Sequence, residues 1–146
     1  MIKLHRDCAE LPLREYEAGD VIIEEGGRSG ALFFLKEGTV RISRGGIALA
    51  EISDAGALLG EVSVLLDRPN IVRVEAVGRV VFHVAENAES FLLAHPEVNL
   101  LITRWVARKV DAMSCYLVDL KEQYGDEAGH LGMVHEILDA LLHSKH

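Results

Sequence analysis

Leu59-Gly60-Glu61-Val62-Ser63-Val64-Leu65-Leu66-Asp67-Arg68-Pro69-Asn70-Ile71-Val72-Arg73-Val74 joins a glycine–carboxylate pair to a short apolar helical turn and then to an extended apolar run. Glycine at the head of such a turn lets the backbone approach a ligand closely, and the first amides of the turn have no partner within it. Those amides suit an anion. Glu61 would repel one, so its sensible partner is a neutral donor such as a hydroxyl. A nearby arginine would normally complete an anion site with charge-assisted hydrogen bonds.

The same stretch resembles the phosphate-binding cassette of cyclic nucleotide-binding domains. In that family a Gly-Glu pair opens a short helix, the Glu takes the ribose 2′-hydroxyl, and an Arg farther along, usually after Pro, grips the cyclic phosphate. Gly60, Glu61 and Pro69 match and the spacing is kept, but the Arg position holds Asn70. The small residues that normally follow are replaced by Ile71 and Val72. The resemblance implies a cyclic mononucleotide ligand such as cAMP or cGMP, no cofactor, and contacts from Gly60, Glu61, Val62, Ser63, Asn70, Ile71 and Val72. Asparagine brings no charge, which forfeits roughly 1.5–3 kcal/mol if nothing compensates. That is about ten- to a hundred-fold in affinity. Side chains alternate along an extended segment, so Arg68 shares a side with Asn70 and Arg73 points the other way. Two roles stay open to Arg68: a replacement for the missing cation, or a solvated loop arginine.

Working outward, the 146-residue chain is long enough to bury one proper core, and 49% hydrophobic with 26% charged residues reads as soluble and globular. No apolar run reaches the length of a membrane span and the N-terminus lacks a signal-peptide core, which places the chain in the cytoplasm. A formal net charge of −8 argues against nucleic acid, DNA included, and against an anionic membrane surface. Cys8 and Cys115 lie far apart, outside any Cys-x-x-Cys context, and read as ordinary thiols.

From Leu11 to about Ala85, short β-type runs alternate with glycine-centred turns, the pattern of an all-β sandwich or barrel. The predicted segments are Leu11–Tyr16, Val21–Glu24, Ala31–Glu37, Val40–Arg44, Ile47–Ile52, Ile71–Glu75 and Val80–Ala85. Glu86–His95 reads as a short helix. Pro96 suits the first turn of a longer one, which nothing breaks before about Gln123. On that helix Val106, Val110, Met113, Leu117, Leu120 and Tyr124 follow a heptad rhythm, the pattern of a homodimeric seam, although a helix packed on its own barrel also carries an apolar stripe. Residues 126–146 form an acidic, histidine-rich amphipathic segment.

The early strands around Tyr16-Glu17-Ala18-Gly19-Asp20 and Lys36-Glu37-Gly38-Thr39 also look like the start of the cyclic nucleotide-binding roll, so the resemblance covers roughly residues 11–122. It implies a mainly β fold with flanking helices: an eight-stranded antiparallel β-roll of the jelly-roll type plus a long C-terminal helix. Residues 1–122 then make the sensing domain, with the long helix from about 96, and 126–146 a terminal helix. In bacterial regulators the equivalent helix forms the dimer and closes over the base, and Ser114 lies at about the level of a polar contact to that base. The acidic residues 126–146 are too few and lack the basic face expected of a winged-helix module.

Other chemistry finds little support. His135, Asp139 and His143 recur at four-residue steps, but a solvated helix face explains them and no cysteine completes a zinc set. His83 is the one histidine within the predicted strands, so a metal-dependent cupin enzyme is not indicated, and no Gly-x-Ser-x-Gly motif is present. No catalytic reaction is read from this sequence. The leading expectation is a cyclic nucleotide sensor that acts on an unknown protein effector through its C-terminal helices. The competing one is a degenerate fold with little or no ligand binding, serving as a dimeric scaffold.

Overall fold

The computed structural model describes residues 4–124 together with 136, 137, 139 and 140. Its elements are α1 (Arg6–Ala9), β1 (Leu13–Tyr16), β2 (Val21–Ile23), β3 (Leu32–Glu37), β4 (Val40–Arg44), β5 (Ile47–Ile52), β6 (Leu58–Leu59), α2 (Glu61–Leu66), β7 (Arg73–Ala76), β8 (Val80–Ala85), α3 (Ala88–Ala94) and α4 (Pro96–Tyr124). The strands form two four-stranded sheets, ordered β1-β8-β3-β6 and β2-β7-β4-β5. Every pairing is antiparallel. This is the expected eight-stranded jelly roll followed by a long helix. The chain divides into two compact units, Met1–Leu101 and Ile102–His146, and the division falls inside α4. The amphipathic helix expected over 126–146, with His135 and His143, lies outside the described residues apart from four exposed positions that include Asp139.

The first unit is built around two strands that are buried on both faces. All six residues of β8 are buried, as are Leu32, Phe33, Phe34 and Leu35 of β3. A run that is apolar without alternation suits a strand covered on both sides. Phe33, Leu35, Val80, Phe82 and Val84 enter the core between the sheets with Val40, Leu59 and Val74. Phe82 meets Phe33 and Tyr16 edge to face, at centroid distances of 5.7 and 6.1 Å, a geometry worth about 0.5–1.5 kcal/mol per pair beyond the buried area. The alternate residues Leu32, Phe34, Val81 and His83 are buried as well, as are Cys8 of α1, Ala88 and Leu92 of α3 and Val98 of α4. His83 reaches the Leu11 carbonyl through Nδ1 at 3.2 Å, so it serves the fold.

Element ends differ from the sequence expectation where the backbone is diverted. The alternation predicts seven strand segments and misses β6, because two residues between Gly56 and Gly60 cannot display a period. The predicted strand from Ile71 begins instead at Arg73. Asn70 is tied across to another turn, as described below, and Ile71 and Val72 lie in the bend that follows. The short helix starts at Ala88 because the Asn87 side chain caps it, accepting from the Ser90 amide at 3.2 Å. At Gly38 a Cβ would lie 2.5 Å from the Arg79 carbonyl oxygen, and φ is +102°. Only glycine fits that turn.

Candidate functional site

The cassette begins where sheet pairing ends. Leu58 and Leu59 pair with Phe34 and Phe33 of β3, which fixes the position of the next residue, Gly60. Gly60 adopts φ +92°, and a Cβ there would sit 2.8 Å from the Ala31 carbonyl oxygen. Both the positive φ and the close approach require glycine. The turn swings the chain off the sheet into α2, with Val64 N–H donating to the Gly60 carbonyl at 3.2 Å. Glu61 follows immediately and is buried, a placement that strands and helices rarely give a carboxylate.

The far end of α2 is closed by its own side chains. Asp67 takes the left-handed conformation at φ +49° and donates its amide to the Ser63 carbonyl, the usual manner of ending a helix without glycine. The Ser63 hydroxyl is buried and donates to the Arg68 carbonyl at 2.5 Å, while Arg68 N–H returns to the Ser63 carbonyl at 3.1 Å. Ser63 therefore braces the turn on which Arg68 and Pro69 lie.

Asn70 is buried and bound to the turn between β2 and β3. Its amide Nδ2 and its backbone N–H both donate to the Gly27 carbonyl, each at 2.8 Å, and its carbonyl accepts from Gly26 N–H at 2.7 Å. In the site implied by the resemblance this position supplies a cation to phosphate. Here its one side-chain donor group is directed at backbone. Arg68 is exposed, and among the described residues its guanidinium has no ion pair or hydrogen bond. Arg73 pairs with Glu75 at 3.8 Å. Val62, Ile71 and Val72 are half-buried, and Val72 packs against the core. Ser114 is half-buried on α4, in the second unit.

The glycine turn at Gly26 and Gly27 is legible in the sequence, but its docking with Asn70 is not. Gly26 and Gly27 supply its hydrogen-bonding groups, and the next residue, Arg28, pairs with Asp67 at 3.2 Å across an exposed surface. A double glycine is the only local signal, and it does not say which segment will dock there. The structure also removes one argument for a ligand. An unpartnered buried Glu61 would be costly, yet among the described residues no buried side-chain polar atom lacks a partner. Three or more clustered metal-ligating residues are absent among the described residues.

The comparisons with known proteins agree with this fold. A cyclic nucleotide-binding domain family model matches residues 13–92, from β1 through most of α3. A cAMP-dependent protein kinase regulatory subunit from Debaryomyces hansenii is 29% identical over 86 residues, covering 59% of this chain and 19% of that protein. The chain thus spans about a fifth of that relative. The N-terminal domain of a transcriptional regulator from Streptomyces coelicolor is similar at TM-score 0.56 and 25% identity, over 71% of this chain and 79% of that one. The cAMP-bound PfPKA-R structure shares the fold at TM-score 0.58 and 21% identity, over 75% of this chain and 36% of that one. With more than half of the sequence matched by the family model, and the roll and its Gly60–Glu61 turn in place, the chain belongs to the cyclic nucleotide-binding domain family.

Proposed function

We propose that this chain is a sensor of a cyclic mononucleotide, cAMP or cGMP, with residues 1–122 acting as the sensing domain. Glu61 takes the ribose 2′-hydroxyl, and the cassette amides around Val62 and Ser63 take the phosphate. Ile71 and Val72 wall the pocket. The observation that carries this reading is the Gly60–Glu61 turn: a glycine held at positive φ by sheet pairing, delivering a buried carboxylate into the first turn of α2. Ligand would bias the position of α4 by its differential affinity for two arrangements. A homodimer along Val106, Val110, Met113, Leu117 and Leu120 would pass that bias to a protein effector. Val110 and Met113 are exposed and suit such a seam, whereas Leu117 is buried.

A cytoplasmic setting belongs to the same proposal, consistent with the free thiols Cys8 and Cys115. No helix among the described residues is long and apolar enough to cross a membrane. We assign the chain no catalytic step. Burial, with the charge of Asp7 adding to it, pushes the Cys8 thiol up to about 11, so it is not a nucleophile near neutral pH.

Isothermal titration of the full chain with cAMP and with cGMP, up to millimolar concentration, tests the sensor. Saturable binding that Glu61→Gln weakens by tenfold or more is the expected result. A flat titration of folded protein overturns it. That outcome would leave the second reading, a scaffold, which the engagement of Asn70 with Gly27 favours because the position of the charged phosphate partner is then spent on the fold. If the sensor reading holds, Asn70→Arg should tighten binding about tenfold through a charge-assisted contact.

A further inference from the structure

The back of the cassette helix carries an exposed apolar surface that the ligand reading does not use. Val64 and Leu65 of α2 and Leu92 and Leu93 of α3, together with Asp67, Glu89 and Asn99, line a groove of about 450 Å³. Leu65 is 46% and Leu93 74% exposed. The neighbouring Leu66 is 60% exposed, so α2 presents consecutive leucines outside the core. Single exposed leucines need no explanation, but a lined groove between two helices does. A second, smaller cavity shares Val64, Asp67 and Glu89 and is lined also by Ser63, Asn87 and Arg28.

We propose that this groove docks an amphipathic helix of a partner protein, with leucine-sized anchors on one face and lysine or arginine beside them. The four apolar side chains fit the anchors, and Asp67 and Glu89 select the charge. Asp67 holds Arg28 through an exposed ion pair; such pairs contribute little, so a partner cation exchanges for Arg28 at small cost. Charge also decides against the two occupants closest at hand. Residues 125–146 carry four carboxylates against one lysine, and a second copy brings the same net charge of −8. An acidic segment laid against Asp67 and Glu89 is repelled, whereas a basic helix is attracted and steered. The apolar anchors follow the helix-in-groove mode, in which side chains one turn apart enter one furrow.

The groove and the cassette share one helix of six residues, with Gly60–Glu61 at its start and Val64–Leu65 on the groove. If the sensor reading holds, occupancy of one site alters affinity for the other, and by linkage the effect is reciprocal. The docking proposal stands without that reading, because it rests on the groove alone.

The test is fluorescence anisotropy of the full chain with a labelled leucine–lysine amphipathic peptide of about four helical turns. A leucine–glutamate peptide of the same pattern serves as control. Saturable binding of the basic peptide alone is expected, weakened about tenfold or more by Leu65→Ser or Leu93→Ser, and weakened in a salt-dependent way by Glu89→Lys. These positions are exposed, so circular dichroism should be unchanged. Absence of saturable binding overturns the proposal, as does binding that ignores both leucine substitutions or that the acidic peptide shares. A change in sedimentation caused by Leu93→Ser assigns the face to self-association and overturns it too. The result is separable from the nucleotide titration, since either can succeed while the other fails.

Discussion

The β3–β8 pair and the cassette from Gly60 to Val72 are held in place by opposite means. The pair is apolar on both faces, so its position follows from removing area from water, and many neighbours share the energy. In the cassette the buried side chains include Glu61, Ser63 and Asn70, while Leu65 and Leu66 are exposed. Its shape depends on a few directional bonds and one permissive backbone position. A region of the first kind tolerates change in any one contact and loses stability when volume is removed. A region of the second kind loses its geometry when a single atom is altered, and that sensitivity is what a binding site requires.

Phe82→Ala gives the largest effect. The ring is fully buried and touches both Phe33 and Tyr16, so truncation should cost about 3–5 kcal/mol. Urea unfolding followed by circular dichroism measures it. A cost under about 1.5 kcal/mol, the range of a conservative repacking, would mean that the core relaxes as freely as the surface, and the contrast would collapse.

Gly60→Ala comes next and tests the other side. A left-handed backbone costs a non-glycine residue about 1–2 kcal/mol. The new Cβ would also lie 2.8 Å from the Ala31 carbonyl oxygen, a backbone atom that cannot rotate away. The expected result is a moderate loss of stability with a disproportionate loss at the site, because the turn that aims Glu61 must shift. Nuclear magnetic resonance of backbone amides would show displacements concentrated in residues 60–70. Shifts spread evenly over both sheets would refute local control.

The same contrast explains what the sequence made legible. The continuous run Leu32-Phe33-Phe34-Leu35 and the alternation of Val40 to Arg44 announce strands because burial and period are local properties of the chain. Gly60 and Glu61 stand out because their chemistry is unusual side by side. The fate of Asn70 was hidden, since its amide acts on Gly27, distant in sequence, and nothing in either segment names the other. β6 was hidden for a different reason: a two-residue strand has no period to read. The exposed leucines of α2 match a helical pattern perfectly well, yet a pattern cannot report how exposed they are in the fold. What pairing across the fold decides, composition along the chain leaves open.

Asn70→Ala sharpens the comparison at its smallest scale. The substitution removes one hydrogen bond to the Gly27 carbonyl, but that oxygen keeps the backbone N–H of residue 70 as a donor at 2.8 Å. Deleting a donor is expensive mainly when it strands a buried partner, and here it strands none. The global cost should therefore be about 0.5–1 kcal/mol, far below that of Phe82→Ala. The local effect should exceed it in proportion: hydrogen exchange at Gly26 and Asn70 should accelerate tenfold or more, while amides in β3 and β8 keep the protection set by global unfolding. Uniform acceleration would mean that the cassette and the core open as one unit, so that directional bonds and buried area hold a single structure rather than two with separate rules.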